Sequence, residues 1–198
     1  MHNFYHILKE ATITINKQQN VNVIFNKNSD TNLTFVIGAG PGSGKNILIN
    51  LLQSKHPDYK IINLRDVYYD YLVQNKIIDQ NIEEIPVIDT MTLKKGLEYL
   101  YNYLLKLSKE RQKYLIIGNN LLMLGRIYMR DQWMRFLSQQ RVIIIKKNVF
   151  RMVNDNILAS QNQKLNKVLQ DFIRDMISYG ADYEVFEIST QSLKKVSL

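Results

Sequence analysis

Lys45 is the residue around which chemistry can be built. It follows glycines at 38, 40, 42 and 44. Such a run lets backbone N–H groups turn inward around an anion, where most side chains would block the approach. The lysine adds a point charge that can reach phosphate oxygens. Asp66 is the second such residue. It comes just after an apolar stretch, Tyr59 to Leu64, where a carboxylate can align a hydroxyl and take its proton. An anion cradle, a cation and a base together suit phosphoryl transfer.

The flanking elements fit that task. Leu33 to Ile37 has the length and β-branched content of a buried strand, and Ile47, Leu48, Leu51 and Leu52 mark one face of a helix. Strand, Gly-rich turn, lysine and helix are the setting of a phosphate-binding loop, with the positive end of the helix aimed at the anion. Gly40, Pro41, Gly42, Ser43, Gly44, Lys45 and Asn46 are the expected phosphate-binding residues. Two positions depart from G-x-x-x-x-G-K-[ST]. Ala39 replaces the first glycine, and Asn46 stands where a hydroxyl normally meets Mg²⁺. The Asn46 amide oxygen is an acceptable hard ligand, so Asn46 is the expected metal residue.

A chain of 198 residues with 45% hydrophobic content suits one globular domain. No apolar run reaches the length of a membrane span, and no secretory segment is recognisable at the start. Cysteine is absent, which removes disulfides and thiolate metal sites. The expected location is cytoplasmic, with no membrane partner. The net charge of +8 suits anionic ligands, but the basic residues are dispersed, so nucleic acid is not an expected partner.

In chain order, residues 11–16 and 21–26 alternate and are separated by K-Q-Q-N, the pattern of a hairpin. Tyr59 to Leu64 is the second strand, and Asp66 would also serve as a helix N-cap. Asn75 to Glu84 is polar and expected to be mobile. A helix over about Thr92 to Lys109 carries Leu93, Leu97, Leu100, Leu104 and Leu107 on one face. Lys113 to Ile117 is a third strand. A helical stretch through Gln140 carries Arg126, Arg130 and Arg135, and Val142 to Ile145 is a fourth strand. Two helices, about 148–160 and 165–177, are expected to meet at a polar hinge, Ser160 to Lys164. Leu165, Val168, Leu169, Phe172 and Met176 share one face, and Gly180 is the C-cap. Ala181 to Ile188 is a last strand, followed by a frayed basic tail.

Several of these segments resemble the P-loop small-molecule kinases of the uridine kinase, phosphoribulokinase and nicotinamide riboside kinase group. The loop G-P-G-S-G-K is also similar to that of adenylate kinases. I-I-N-L-R-D-V-Y-Y-D resembles the group's second strand, ending in an Asp base and an aromatic pair. The resemblance thus implies Asp66 as base and Tyr68 and Tyr69 at the acceptor pocket. E-I-P-V-I-D resembles its Asp-His-Pro-x-x-x-Asp segment, which implies Glu84 and Asp89 as substrate residues. L-I-I-G-N-N and A-D-Y-E-V resemble its third and last strands. Asn119 falls where the group has an acidic residue. The Arg-rich lid is reduced to Arg151, with Lys164 and Lys167 as candidate substitutes. Arg151 is the implied third catalytic residue beside Lys45 and Asp66.

The expected fold is a P-loop NTPase-type three-layer α/β/α structure with a mainly parallel sheet and an N-terminal β-hairpin. The expected divisions are a hairpin extension over 1–32, a kinase-like domain over 33–190 and a basic tail over 191–198. The expected function is transfer of the γ-phosphate of ATP or GTP, with Mg²⁺, to a hydroxyl of a nucleoside or similar small riboside. The alternative is a catalytically degenerate nucleotide-binding domain serving a protein partner, motivated by Asn46 and Asn119.

Overall fold

The computed structural model describes residues 31–38, 45–82, 85–147, 156–181, 183–188 and 193–196. The expected hairpin over 11–26 lies outside them. The strands are β1 (Leu33–Gly38), β2 (Tyr59–Asn63), β3 (Lys113–Ile117), β4 (Arg141–Lys147), β5 (Tyr183–Ile188) and β6 (Leu193–Val196). The helices are α1 (Lys45–Lys55), α2 (Leu64–Gln74), α3 (Thr90–Leu107), α4 (Asn119–Ser138) and α5 (Asn156–Ser178). The sheet order is β2-β3-β1-β4-β5-β6. The first five strands are parallel, and β6 runs antiparallel to β5.

Chain direction explains how the layers form. A crossover between parallel strands is right-handed, so its direction across the sheet decides which face its helix covers. The β1 to β2 connection runs one way; the β2 to β3, β3 to β4 and β4 to β5 connections run the other. Accordingly α1 lies alone among the described helices on one face, where Leu48, Ile49, Leu51 and Leu52 pack with Val36, Leu115, Ile143 and Ile145. The other four helices cover the opposite face, where Phe35, Ile116, Val142 and Ile144 meet Leu72, Leu100, Met134 and Phe172. The result is a three-layer α/β/α arrangement. Strand β1, at the centre, is buried along its whole length.

Several expectations are corrected. The hinge at 160–164 is absent: α5 is continuous from Asn156 to Ser178. That stretch holds no proline or glycine, and polar side chains alone do not break a helix. Val168 is partly exposed rather than on the core stripe, while Leu169, Phe172 and Met176 are buried. Helix α5 ends in a Schellman motif, with Gly180 at φ 66 and bonds from Gly180 N to Ile177 O and from Ala181 N to Met176 O. The tail is not frayed over Leu193–Val196, which pairs with β5, so the sheet continues past residue 190. The segment after α2 is not merely polar surface, because Ile78 enters the core. Finally, α4 is broken at Met129, whose φ of −136 and ψ of 38 are not helical.

Candidate functional site at the carboxyl edge of the sheet

Because β1 to β4 are parallel, Gly38, Asn63, Ile117 and Lys147 end on one edge of the sheet. The β1 connection leaves towards β2 and the β4 connection towards β5, although β1 and β4 are neighbours. Such a reversal opens a crevice outside the strand ends, the usual ligand position in open α/β sheets. Gly38 ends β1 at this point, and the Gly-rich sequence follows it. Its residues 39–44, including Gly40, Pro41, Gly42, Ser43 and Gly44, lie outside the described residues.

Lys45 is the first residue of α1. Partial burial pushes its ammonium down from the ordinary lysine value to about 8. The cause is desolvation, which disfavours the charged form. Asn46 is the next helical residue; its side chain, like that of Asn119 at the start of α4, is outside the described set.

Asp66 sits in the exposed first turn of α2. The expectation that it caps this helix is corrected, since the cap is Asn63. The Asn63 side-chain oxygen accepts from Arg65 N at 3.1 Å, and its amide donates to Asp66 Oδ1 at 3.2 Å. Asn63 therefore ends β2, starts α2 and steadies Asp66. The N-x-x-D spacing at 63–66 is the signal that could have revealed it.

The two aromatics after Asp66 stand in different surroundings. Tyr68 is buried in the core, with its ring against Gly96 of α3. Burial first, then Tyr71 and Asp89, raises its phenol above the ordinary value. Its hydroxyl has no hydrogen-bond partner among the described residues. Tyr69 donates its hydroxyl to Gln80 O at 2.6 Å, which ties down the turn after α2. The helical phase explains both outcomes: Leu64, Tyr68 and Leu72 form the buried face, and Tyr69 falls beside it.

Asp89 is exposed and caps α3, accepting from Thr92 N at 3.0 Å. Hydrogen bonds from the Thr92 side chain and backbone hold its carboxyl below the usual value. Helix α3 ends on the side of the sheet where β3 begins, so its Asp89 end rises towards the carboxyl edge. Glu84 and Arg151 lie outside the described residues. Lys167 is exposed on α5, and the side chain of Lys164 is not described. Arg126 and Arg130 face α5 instead of the strand ends, pairing with Asp175 at 3.2 and 2.9 Å.

Lys45, Asp66 and Asn119 thus follow the ends of β1, β2 and β3 on one edge, whereas Tyr68 does not join them. No described group of three or more His, Asp or Glu side chains gathers as a metal site. No described helix is long and apolar enough to cross a membrane. In comparisons with known proteins, no family model matches the chain and no curated protein is similar enough in sequence to match.

Proposed function

We propose that this chain is a P-loop kinase-like protein that binds ATP or GTP and transfers the γ-phosphate to a hydroxyl of a nucleoside or similar small riboside. One observation carries the reading: the Gly-rich run 38–44 leaves the central strand at the reversal point of a parallel sheet, with Lys45 opening the next helix. Backbone N–H groups of residues 40–44 would cradle the phosphates, and Lys45 would neutralise them. The acceptor oxygen attacks the γ-phosphorus. The bond from that phosphorus to the β-bridging oxygen breaks, and its electron pair leaves with the nucleoside diphosphate. The acceptor proton passes to Asp66, whose exposed carboxylate is steadied by Asn63. Arg151 is assigned by resemblance alone to the transferring charge.

The described residues form no carboxylate cage for Mg²⁺. Asn46 is the motif residue that would hold an ion arriving on the nucleotide phosphates, and no step above runs through it. Asn46 and Asn119 favour a second reading, a nucleotide-binding domain without useful turnover that serves a protein partner.

The test is calorimetric titration with ATP and GTP, with and without Mg²⁺, beside Lys45→Ala, followed by a riboside panel with γ-labelled nucleotide. Loss of the Mg²⁺-dependent binding in the variant, with label moving to one riboside in the parent chain, is the expected result. Binding without transfer to any acceptor supports the second reading. Absence of binding by the parent chain overturns both.

A further inference from the structure

A groove of about 620 Å³ lies between α4 and α5, away from the strand ends. Arg126 and Arg130 of α4 and Arg174 of α5 line it, with Asp171, Asp175 and the exposed Ile127. Three guanidinium groups therefore face two carboxylates. Asp175 is shared: Oδ2 meets Arg126 Nε at 3.2 Å, and Oδ1 meets Arg130 Nη2 at 2.9 Å. Arg174 pairs with Asp171 at 2.6 Å, one turn away on the same helix. Each guanidinium thus commits one nitrogen to these pairs and keeps further donors of its planar fork, the geometry that suits phosphate oxygens. Arg130 and Arg174 are well exposed, and exposed pairs of this kind yield readily to a stronger anion.

We infer that this groove is a second anion site, for a small soluble molecule bearing a phosphate group, separate from the carboxyl-edge crevice. Its volume lies within the range of small-molecule sites and exceeds what a lone phosphate fills. Ile127, 69% exposed, offers an apolar wall for the rest of the molecule. The site spans the break in α4. Arg126 precedes Met129 and Arg130 follows it, so an anion held by both ties the two helical segments together. Trp133 lies across the same break, with its indole nitrogen 2.4 Å from where a Cβ on Gly125 would stand. It is the chain's single tryptophan, so its emission reports this region.

The experiment titrates sodium pyrophosphate into the full chain, followed by calorimetry and tryptophan fluorescence. Lys45→Ala removes the carboxyl-edge contribution. In that background the structure predicts continued binding with a change in Trp133 emission. Adding R130Q and R174Q should weaken it at least tenfold while circular dichroism stays unchanged. Absence of binding in the Lys45→Ala chain, or equal binding after both arginine substitutions, overturns the inference. Loss of binding through Lys45 alone would bear on the crevice and count against the groove.

Discussion

Leu64 and Gly118 share a contact that leaves no room for a side chain on residue 118: a Cβ there would stand 2.6 Å from Leu64 Cβ. Gly118 also has φ 155, a backbone conformation that other residues rarely adopt. The contact draws the ends of β2 and β3 together, so that α2 with Asp66 and α4 with Asn119 begin side by side. Gly118→Ala should therefore destabilise the fold by roughly 2–4 kcal/mol, from overpacking and backbone strain combined. A urea titration should show a lower midpoint with unchanged slope. An unchanged midpoint would mean that Leu64 yields freely.

Tyr68→Phe should stabilise the protein. The Tyr68 hydroxyl is buried without a partner among the described residues, a state that typically costs about 1–3 kcal/mol. Its removal keeps the ring against Gly96 and the stack on Tyr71, whose centroid is 6.3 Å away. The expected outcome is a higher Tm by thermal melt, with nucleotide binding unaltered. A fall in acceptor affinity without a change in Tm would restore Tyr68 to the pocket.

The contrast between Tyr68 and Tyr69 shows what sequence could and could not reveal. Both aromatics follow Asp66, and only the helical spacing with Leu64 and Leu72 sets Tyr68 apart. That its ring fits there depends on α3, whose Gly96 makes room for it. The parallel sheet was legible because its central strands are continuous apolar runs, and the α3 stripe because its leucines keep helical spacing. Lys45 and Asp66 could be placed at one edge because each closely follows a strand. Nothing in the local sequence marks Asn32 as a structural residue. Its amide donates to Leu107 O, Glu110 O and Gln112 O at 2.7, 2.9 and 3.0 Å, closing the α3 to β3 connection. Those partners are remote in sequence, so no local pattern announces them. The polar composition of residues 160–164 reads as a break in α5, but only proline or glycine there would argue for one.

Nucleotide binding should take up protons near pH 8. Burial lowers Lys45 to about 8, so at that pH about half of the free protein carries it neutral. Phosphates beside it favour the charged form and raise its pKa on binding. Calorimetric enthalpies at pH 8 should therefore vary with the ionisation heat of the buffer, by an uptake of about half a proton. Lys45→Met should abolish that dependence along with the binding. The same shift has a stability consequence. Its folded pKa lies below the unfolded value of 10.5, so the unfolded chain holds more protons between about 8 and 10.5. Stability from this group is accordingly lowest below pH 8 and recovers as pH rises through that window. Lys45→Met should narrow the difference in urea midpoint between pH 7 and pH 10.

Asp66→Asn separates chemistry from scaffolding. The carboxylate lies in the first turn of α2, where a negative charge typically contributes about 0.3–1 kcal/mol through the helix dipole. Asparagine keeps a side-chain oxygen that can still accept from Asn63 Nδ2, so the start of the helix should survive with a stability loss within that range. The amide cannot accept the acceptor's proton. If Asp66 is the base, turnover should fall by about 10²–10⁴-fold while nucleotide affinity stays within a few-fold. Because the loss lies in proton transfer, raising the pH towards the pKa of the acceptor hydroxyl should recover part of the rate in the variant. Equal turnover in both proteins would remove Asp66 from the chemistry and leave it as a residue of the α2 cap.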